Sequence, residues 1–414
     1  FSPTHLPRNC DLVIYTGAHG GLDNPQVQAA LKLKIPVMSH AQALALFSEG
    51  KKILATAGVG GKSSTAAMLA SVLTSAGYPT SFAVGVGNIP CLNAPGRMRK
   101  NDQYFVVEAD EYVTDPLHNL IPRFHYLTPY LVIITNLEHD HPDVYKNIEQ
   151  IFDSFKTFVK PIPASGAVIA NFDNPHLKKW LKTIDKPIIT YGFSPQADWR
   201  VLKTHVADQK QFISLQYQGI IWPDLVLSLP GDYNALNALA AVAAGHHLGL
   251  SQPKIYHGLT KFTGTKRRFE LIMAIKNIAL YDDYAHHPTE ITALLKAAKS
   301  WLPNRRLIII FQSHTYSRTK SLLKEFCRSF NQADILLVND IFASAREIDN
   351  LGLTSKSFTQ SIQQFHPRTV YCPDKSATLV YLKNTITRGD VIFTVGAGDN
   401  WLWHKEIIKI MKQA

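Results

Sequence analysis

The sequence predicts a multi-domain α/β protein built on parallel sheets, and three observations carry that prediction. Short Val- and Ile-rich runs alternate along the chain with longer segments of helical periodicity, the pattern of parallel strands joined by crossover helices. One of these runs leads straight through a glycine-rich loop into a long helical segment. The chain also has 414 residues, more than one core usually holds at roughly 100 to 200 residues per domain.

The elements follow in order. Residues 11–17 (DLVIYTG) and 35–39 (IPVMS) read as two strands. A sheet that small is marginal alone, so residues 1–48 are expected to be part of a larger domain. Strands are then expected at 51–57, 104–109, 131–136 and 166–171, with helices at 62–77 and 235–249. Between them, about 186–230 lacks a helical partner and reads as an antiparallel excursion. Loop chemistry near Ser48-Glu49-Gly50 and Thr263-Gly264-Thr265 bounds a central domain at 49–263. The C-terminal domain, 264–414, should carry strands at 278–283, 307–312, 334–340 and 390–397, with helices at 288–302 and 318–330.

Composition narrows the function classes. Hydrophobic residues make up 46% and charged residues 18%, which sets disorder and coiled coil aside. The net charge of +11 suggests an anionic partner, but the basic residues are scattered and never run to five. A nucleic-acid tail or a polybasic membrane segment is therefore a poor reading. Cys10, Cys91, Cys327 and Cys372 show no metal or disulfide spacing, which fits a reducing cytoplasm. Apolar stretches such as 131–134 and 307–311 fall far short of the ~20 residues that span a bilayer, so no membrane insertion is expected. The chain opens FSPTHLPRNC, with neither methionine nor an apolar signal core, and reads as a chain already in progress.

The strand at 51–57 runs into Gly58-Val59-Gly60-Gly61-Lys62-Ser63-Ser64-Thr65 and then into the helix. Phosphate binding needs that order. Glycines let backbone N–H groups approach phosphate oxygens, the helix N-terminus faces the negative charge, Lys62 reaches the terminal phosphates and Ser63 offers a hydroxyl to Mg²⁺. The generic motif has a further glycine where Thr56 stands.

Two strand ends carry acids and histidines: Glu108, Asp110 and Glu111 after the strand at 104–109, and Glu138, His139, Asp140 and His141 after that at 131–136. Ligands of doubly wound sheets bind outside the carboxyl ends of strands, so both clusters should approach the phosphate loop. Hard oxygens such as those of Glu108 suit Mg²⁺. Taken singly, each acid reads better as a solvated loop group and His141 as a helix-capping or satisfied histidine; it is their joint placement that favours a site.

With these motifs in place the chain resembles the Mur ligase family of ATP-dependent amide ligases over nearly its whole length. GVGGKSST stands at the family's phosphate loop, EADE and NLEHDHPD at its Mg²⁺ segments, and LPGDYNALNALAAVAA at its adenine-binding helix start. TGTKRRFE and YDDYAHHPTEI match the hinge and the opening of a Rossmann-like C-terminal domain, and FQSHTYSRTKSLL and VGAGDNW complete the series. The last motifs are most similar to the branch that joins L-alanine to UDP-N-acetylmuramate for peptidoglycan. The resemblance implies that ATP phosphorylates the sugar nucleotide's carboxylate to an acyl phosphate, which the amine then attacks. It further implies that Lys62 stabilises the transferring phosphate, that Gly58, Gly60, Gly61 and Ser64 shape its loop, and that Ser63 and Glu108 hold one Mg²⁺ and His141 a second. By the same resemblance Asn234 and Asn237 read adenine, Arg268 meets the phosphates, Asp283 meets the ribose, and His287, His314 and Arg318 face the other substrates.

Three departures accompany the resemblance. Val59-Gly60 stand where this branch usually has threonine and histidine, Tyr233 replaces the usual histidine before Asn234, and the N-terminal segment resembles only the second half of the family's UDP-binding domain. Two alternatives stay open: the related branch that attaches a preformed peptide to the same sugar nucleotide, favoured by EADEY and RFHYLTP, and a catalytically reduced scaffold.

Overall fold

The computed structural model describes residues 2–139, 141, 144–343, 347 and 349–414. Two large sheets dominate it. The first has ten strands, in the order Ile220–Leu227, Lys210–Tyr217, Trp199–Ala207, Ile188–Gly192, Ala167–Asn171, Pro129–Ile134, Lys52–Ala57, Tyr104–Glu108, Thr80–Ala83 and Gly96–Arg97. Its middle is parallel and its two ends are antiparallel. Helices cover both faces, which is why its central strands are continuous apolar runs rather than alternating ones. Leu54, Val106 and Ile133 point to one face, against helices Lys62–Ser75, Asp232–His247 and Gln252–Thr260. Their neighbours Ile53, Phe105 and Val132 point to the other, against helices Ile148–Val159 and Pro175–Leu181.

The antiparallel excursion is present, but it begins later than the sequence suggested. Ile188–Gly192 pairs in parallel with Ala167–Asn171, and antiparallel pairing starts at Trp199–Ala207. Its two-residue turns place both central residues at positive φ: Asp208 and Gln209 at 49° and 51°, Gln218 and Gly219 at 48° and 82°. That geometry matches the twist of the flanking strands.

The second sheet has six strands, in the order Glu270–Ile275, Ile278–Asp283, Val391–Val395, Leu307–Phe311, Ile335–Val338 and Thr369–Tyr371. It is parallel except for the first hairpin. Helix Pro288–Trp301 packs on one face, and Lys375–Thr385 and His404–Gln413 pack on the other. The helix expected over 318–330 is two short ones, Tyr316–Ser321 and Leu323–Arg328. They break at Leu322, whose φ of −111° and ψ of 23° leave the helical region.

The N-terminal piece pairs Val13–Tyr15 with Val37–Ser39 in parallel. It is tied to the central unit by the Leu22 amide donating to Asp115 (2.8 Å) and by His118 bonding Asp23 (2.8 Å). The α/β architecture with parallel sheets is as the sequence predicted. Among the described residues no helix is long and apolar enough to cross a membrane.

Candidate active site

The carboxyl ends of the central strands converge on the loop after Lys52–Ala57. Gly58 and Gly61 sit at φ 119° and 85°, where a side chain is strained. A Cβ on Gly61 would also lie 2.5 Å from Asn237 Oδ1. Gly61 caps helix Lys62–Ser75 without a side-chain acceptor, so the first-turn amides stay open to an anion. Ser63 is buried at the helix start, and with Gly60, Gly61 and Ser64 it lines a cavity of about 260 Å³.

Lys62 points away from that cavity, toward the acids. Its ammonium donates to both carboxylate oxygens of Glu111, at 3.1 and 3.2 Å. Burial alone would lower its proton affinity, but the Glu111, Asp110 and Glu108 carboxylates hold it above the ordinary lysine value. Burial pushes the Glu111 carboxyl up and Asp110 adds to this, while Lys62 opposes. Asp110 is held low against its own burial by Lys62 and by Arg123, which it meets at 2.6 Å.

Asp110, Glu111 and His141 bring one ligand atom each within 4.8 Å of one another. The two carboxylates are the hard oxygen donors that suit the Mg²⁺ the family resemblance implies, and the His141 imidazole is the softer, less usual ligand of the three. Glu108 stands outside this group. Its Oε2 accepts from the Gly85 amide at 2.8 Å, and it lines a second cavity of about 220 Å³ with His40, Gly85, Asp110 and Arg123. Asp140 lies outside the described residues.

The far wall of the first cavity comes from two other elements. Asn234 and Asn237 are buried on the first turns of helix Asp232–His247, whose N-cap is Gly231, so neither asparagine is the cap. Asn234 Nδ2 donates to the Pro230 carbonyl (2.8 Å), and Thr65 of the phosphate-loop helix donates to Asn237 Oδ1 (3.1 Å). Arg268 and Asp283 enter from the C-terminal unit. Asp283 takes the Phe269 and Ala285 amides at 2.7 and 2.8 Å, and burial pushes its carboxyl up to about 6 although Arg268 opposes. Tyr233 lines the same wall among Arg268, Asp283 and Glu290.

The expected substrate-facing residues divide. His287 is the N-cap of helix Pro288–Trp301, with Nδ1 against Thr289 Oγ1 at 2.7 Å. Its neighbour His286 lies in the charged network instead, 3.6 Å from Glu290 and influenced by Arg268 and Arg318. Burial lowers His286. Glu290 is held low against its burial by His286 and Arg268. Burial, Arg318 and His286 push His314 down to about 4, and among the described residues its buried Nδ1 has no hydrogen-bond partner. Thr315, at φ 68°, turns the chain between His314 and Arg318 and accepts from the Arg318 amide. Glu290 and Asn136, which bonds the Gly60 amide at 3.0 Å, lie inside YDDYAHHPTEI and NLEHDHPD, but no role for either is legible in the sequence; between His286 and His287 the sequence leaves the substrate-facing residue open.

A phosphate loop, a carboxylate–imidazole group and a cavity closed by a second α/β unit define a nucleotide-dependent ligase architecture, and the comparisons agree. The Mur ligase middle domain matches residues 57–245, and the Mur ligase, glutamate ligase domain matches residues 267–398. The chain belongs to the Mur ligase family. It is 38% identical over 392 residues to a UDP-N-acetylmuramate--L-alanine ligase of Caldanaerobacter subterraneus subsp. tengcongensis, covering 94% of this chain and 82% of that protein. A protein of the same name from Geotalea uraniireducens is 35% identical over 408 residues, with 98% and 86% covered. The fold is shared with the UDP-N-acetylmuramate-alanine ligase MurC of Thermotoga maritima, at a TM-score of 0.82 and 24% identity over 100% of this chain and 87% of that one.

Proposed function

We propose that this chain is an ATP-dependent ligase that joins the carboxylate of UDP-N-acetylmuramate to the amine of L-alanine, in peptidoglycan precursor synthesis. The observation that carries the reading is the cavity of about 260 Å³ in which the phosphate-loop glycines, Asn234, Asn237, Arg268 and Asp283 meet. Identity of 38% with a relative of that name supports the choice of L-alanine.

ATP enters as co-substrate. The first-turn amides and Lys62 take the phosphates, Asn234 and Asn237 present amide groups to the base, and Asp283 presents a carboxylate to the ribose. The sugar nucleotide's carboxylate oxygen attacks the terminal phosphorus, the bond to ADP breaks, and an acyl phosphate results. The neutral amine of alanine then attacks the acyl carbon, loses a proton, and phosphate leaves with the C–O bonding pair. Positioning and charge neutralisation supply most of the rate in such transfers. Mg²⁺, when bound, would supply further neutralisation of phosphate charge; Asp110, Glu111 and His141 would hold it, while Glu108 is engaged by the Gly85 amide. Arg318 offers a planar fork to the alanine carboxylate. His314, held neutral with a free ring nitrogen, faces the amine without adding positive charge. The four cysteines are free, which supports a reducing, cytoplasmic setting.

Phosphate release, measured with ATP, Mg²⁺ and UDP-N-acetylmuramate, should depend on added L-alanine. Release only with L-Ala-D-Glu-diaminopimelate would assign the chain to the peptide-attaching branch. Release at background with every amine would leave a scaffold.

A further inference from the structure

Glu111 is the one acid of the Asp110–Glu111–His141 group whose partner is also a residue of the phosphate loop. Its side chain is 4% exposed, and both of its oxygens are taken by Lys62. His141 Nε2 stands 3.9 Å from Oε1. Asp110 is turned to Arg123 and leaves Lys62 to Glu111. Two residues before Lys62, the Gly60 amide donates to Asn136 Oδ1. Two donors that a phosphate loop aims at its anion are thus satisfied by oxygens of the protein itself.

Neither half of a buried ion pair can be left alone cheaply. When a phosphate takes the ammonium, the carboxylate it leaves behind must find another cation. We infer that Glu111 is a positioning residue. It is the resting counter-ion of Lys62; the terminal phosphate of the nucleotide takes Lys62 over, and the released carboxylate turns to the divalent cation that accompanies the nucleotide. The inference rests on the ligase reading of the site. Its consequence is a coupling: nucleotide without metal strands a buried carboxylate beside a triphosphate, so Glu111 makes nucleotide affinity depend on the cation.

The test is calorimetric binding of a non-hydrolysable ATP analogue to the full chain, with and without Mg²⁺. In E111Q the metal-free affinity should rise about tenfold and the gain from Mg²⁺ should shrink by a similar factor, while E111D restores the parent's metal dependence. Equal changes with and without Mg²⁺, or no change, would overturn the inference, because a merely structural role moves both affinities together. A reciprocal arm covers misfolding of E111Q. Mn²⁺ without nucleotide, followed by electron paramagnetic resonance, should bind K62Q at least tenfold more tightly than the parent, and equal binding overturns the inference. If the parent binds no analogue under either condition, the ligase reading fails, and the Mn²⁺ comparison still decides the role of Glu111.

Discussion

At the residue scale, the phosphate loop separates glycines that the backbone requires from one that it does not. A Cβ on Gly58 would lie 2.4 Å from Thr135 Oγ1 and one on Gly61 2.5 Å from Asn237 Oδ1, each at positive φ. On Gly60 the nearest atoms are Asn136 Nδ2 at 3.5 Å and Glu290 Oε1 at 3.8 Å, with no left-handed φ. G60A should therefore stay within about 0.5 kcal/mol of the parent in urea unfolding and keep its nucleotide affinity. G61A should lose about 1–3 kcal/mol and most of its affinity. Equal losses in the two variants would refute this geometry. The loop was legible in the sequence because strand, glycines, lysine and helix are contiguous. Its partners were not: Glu111 lies 49 residues from Lys62 and Asn237 lies 172 from Thr65, so only the sheet order brings them together. His286 and His287 are adjacent, and which one joins the charged network is decided by the helix cap at His287.

At the element scale, the strands buried on both faces announced themselves as apolar runs. Those with one wet face did not. Glu270–Ile275 has only half-buried and exposed positions, and its turn, Lys276-Asn277 at φ 50° and 63°, lacks the glycine that usually marks such a hairpin. The break at Leu322 has no glycine or proline to signal it. Helix Ile148–Val159 was readable, with buried Ile151, Phe155 and Phe158 at helical spacing, but was not singled out. The antiparallel excursion is anchored by Trp199, which is fully buried, stacked on Tyr217 at 4.2 Å and edge-on to Trp222 and His246 at 4.7 and 5.2 Å. His246 belongs to the same helix as Asn234 and Asn237, so this cluster steadies the far end of the nucleotide-reading helix. W199A should cost about 3–5 kcal/mol in denaturant unfolding. A cost below about 1 kcal/mol would mean that the rings merely cover the strand.

At the scale of the whole molecule, the expected anionic partner finds a cavity whose walls belong to two sheets. Each sheet carries its own pair of apolar cores. Among the described residues the contacts between the sheets include Tyr233 and Val206 against the C-terminal core, the Lys266 amide donating to the Asn88 carbonyl at 3.1 Å and the exposed Lys296–Asp232 pair at 2.8 Å. A cavity built this way makes its ligand a thermodynamic rivet. Without nucleotide, heat should melt the two sheets as separate transitions in scanning calorimetry, since each has cores of its own. A ligand held by both walls stabilises only the state in which both are folded. Saturating Mg²⁺ and ATP analogue should therefore raise the lower transition toward the upper until they merge. A single transition at both ligand concentrations would show instead that the two sheets already unfold as one cooperative unit.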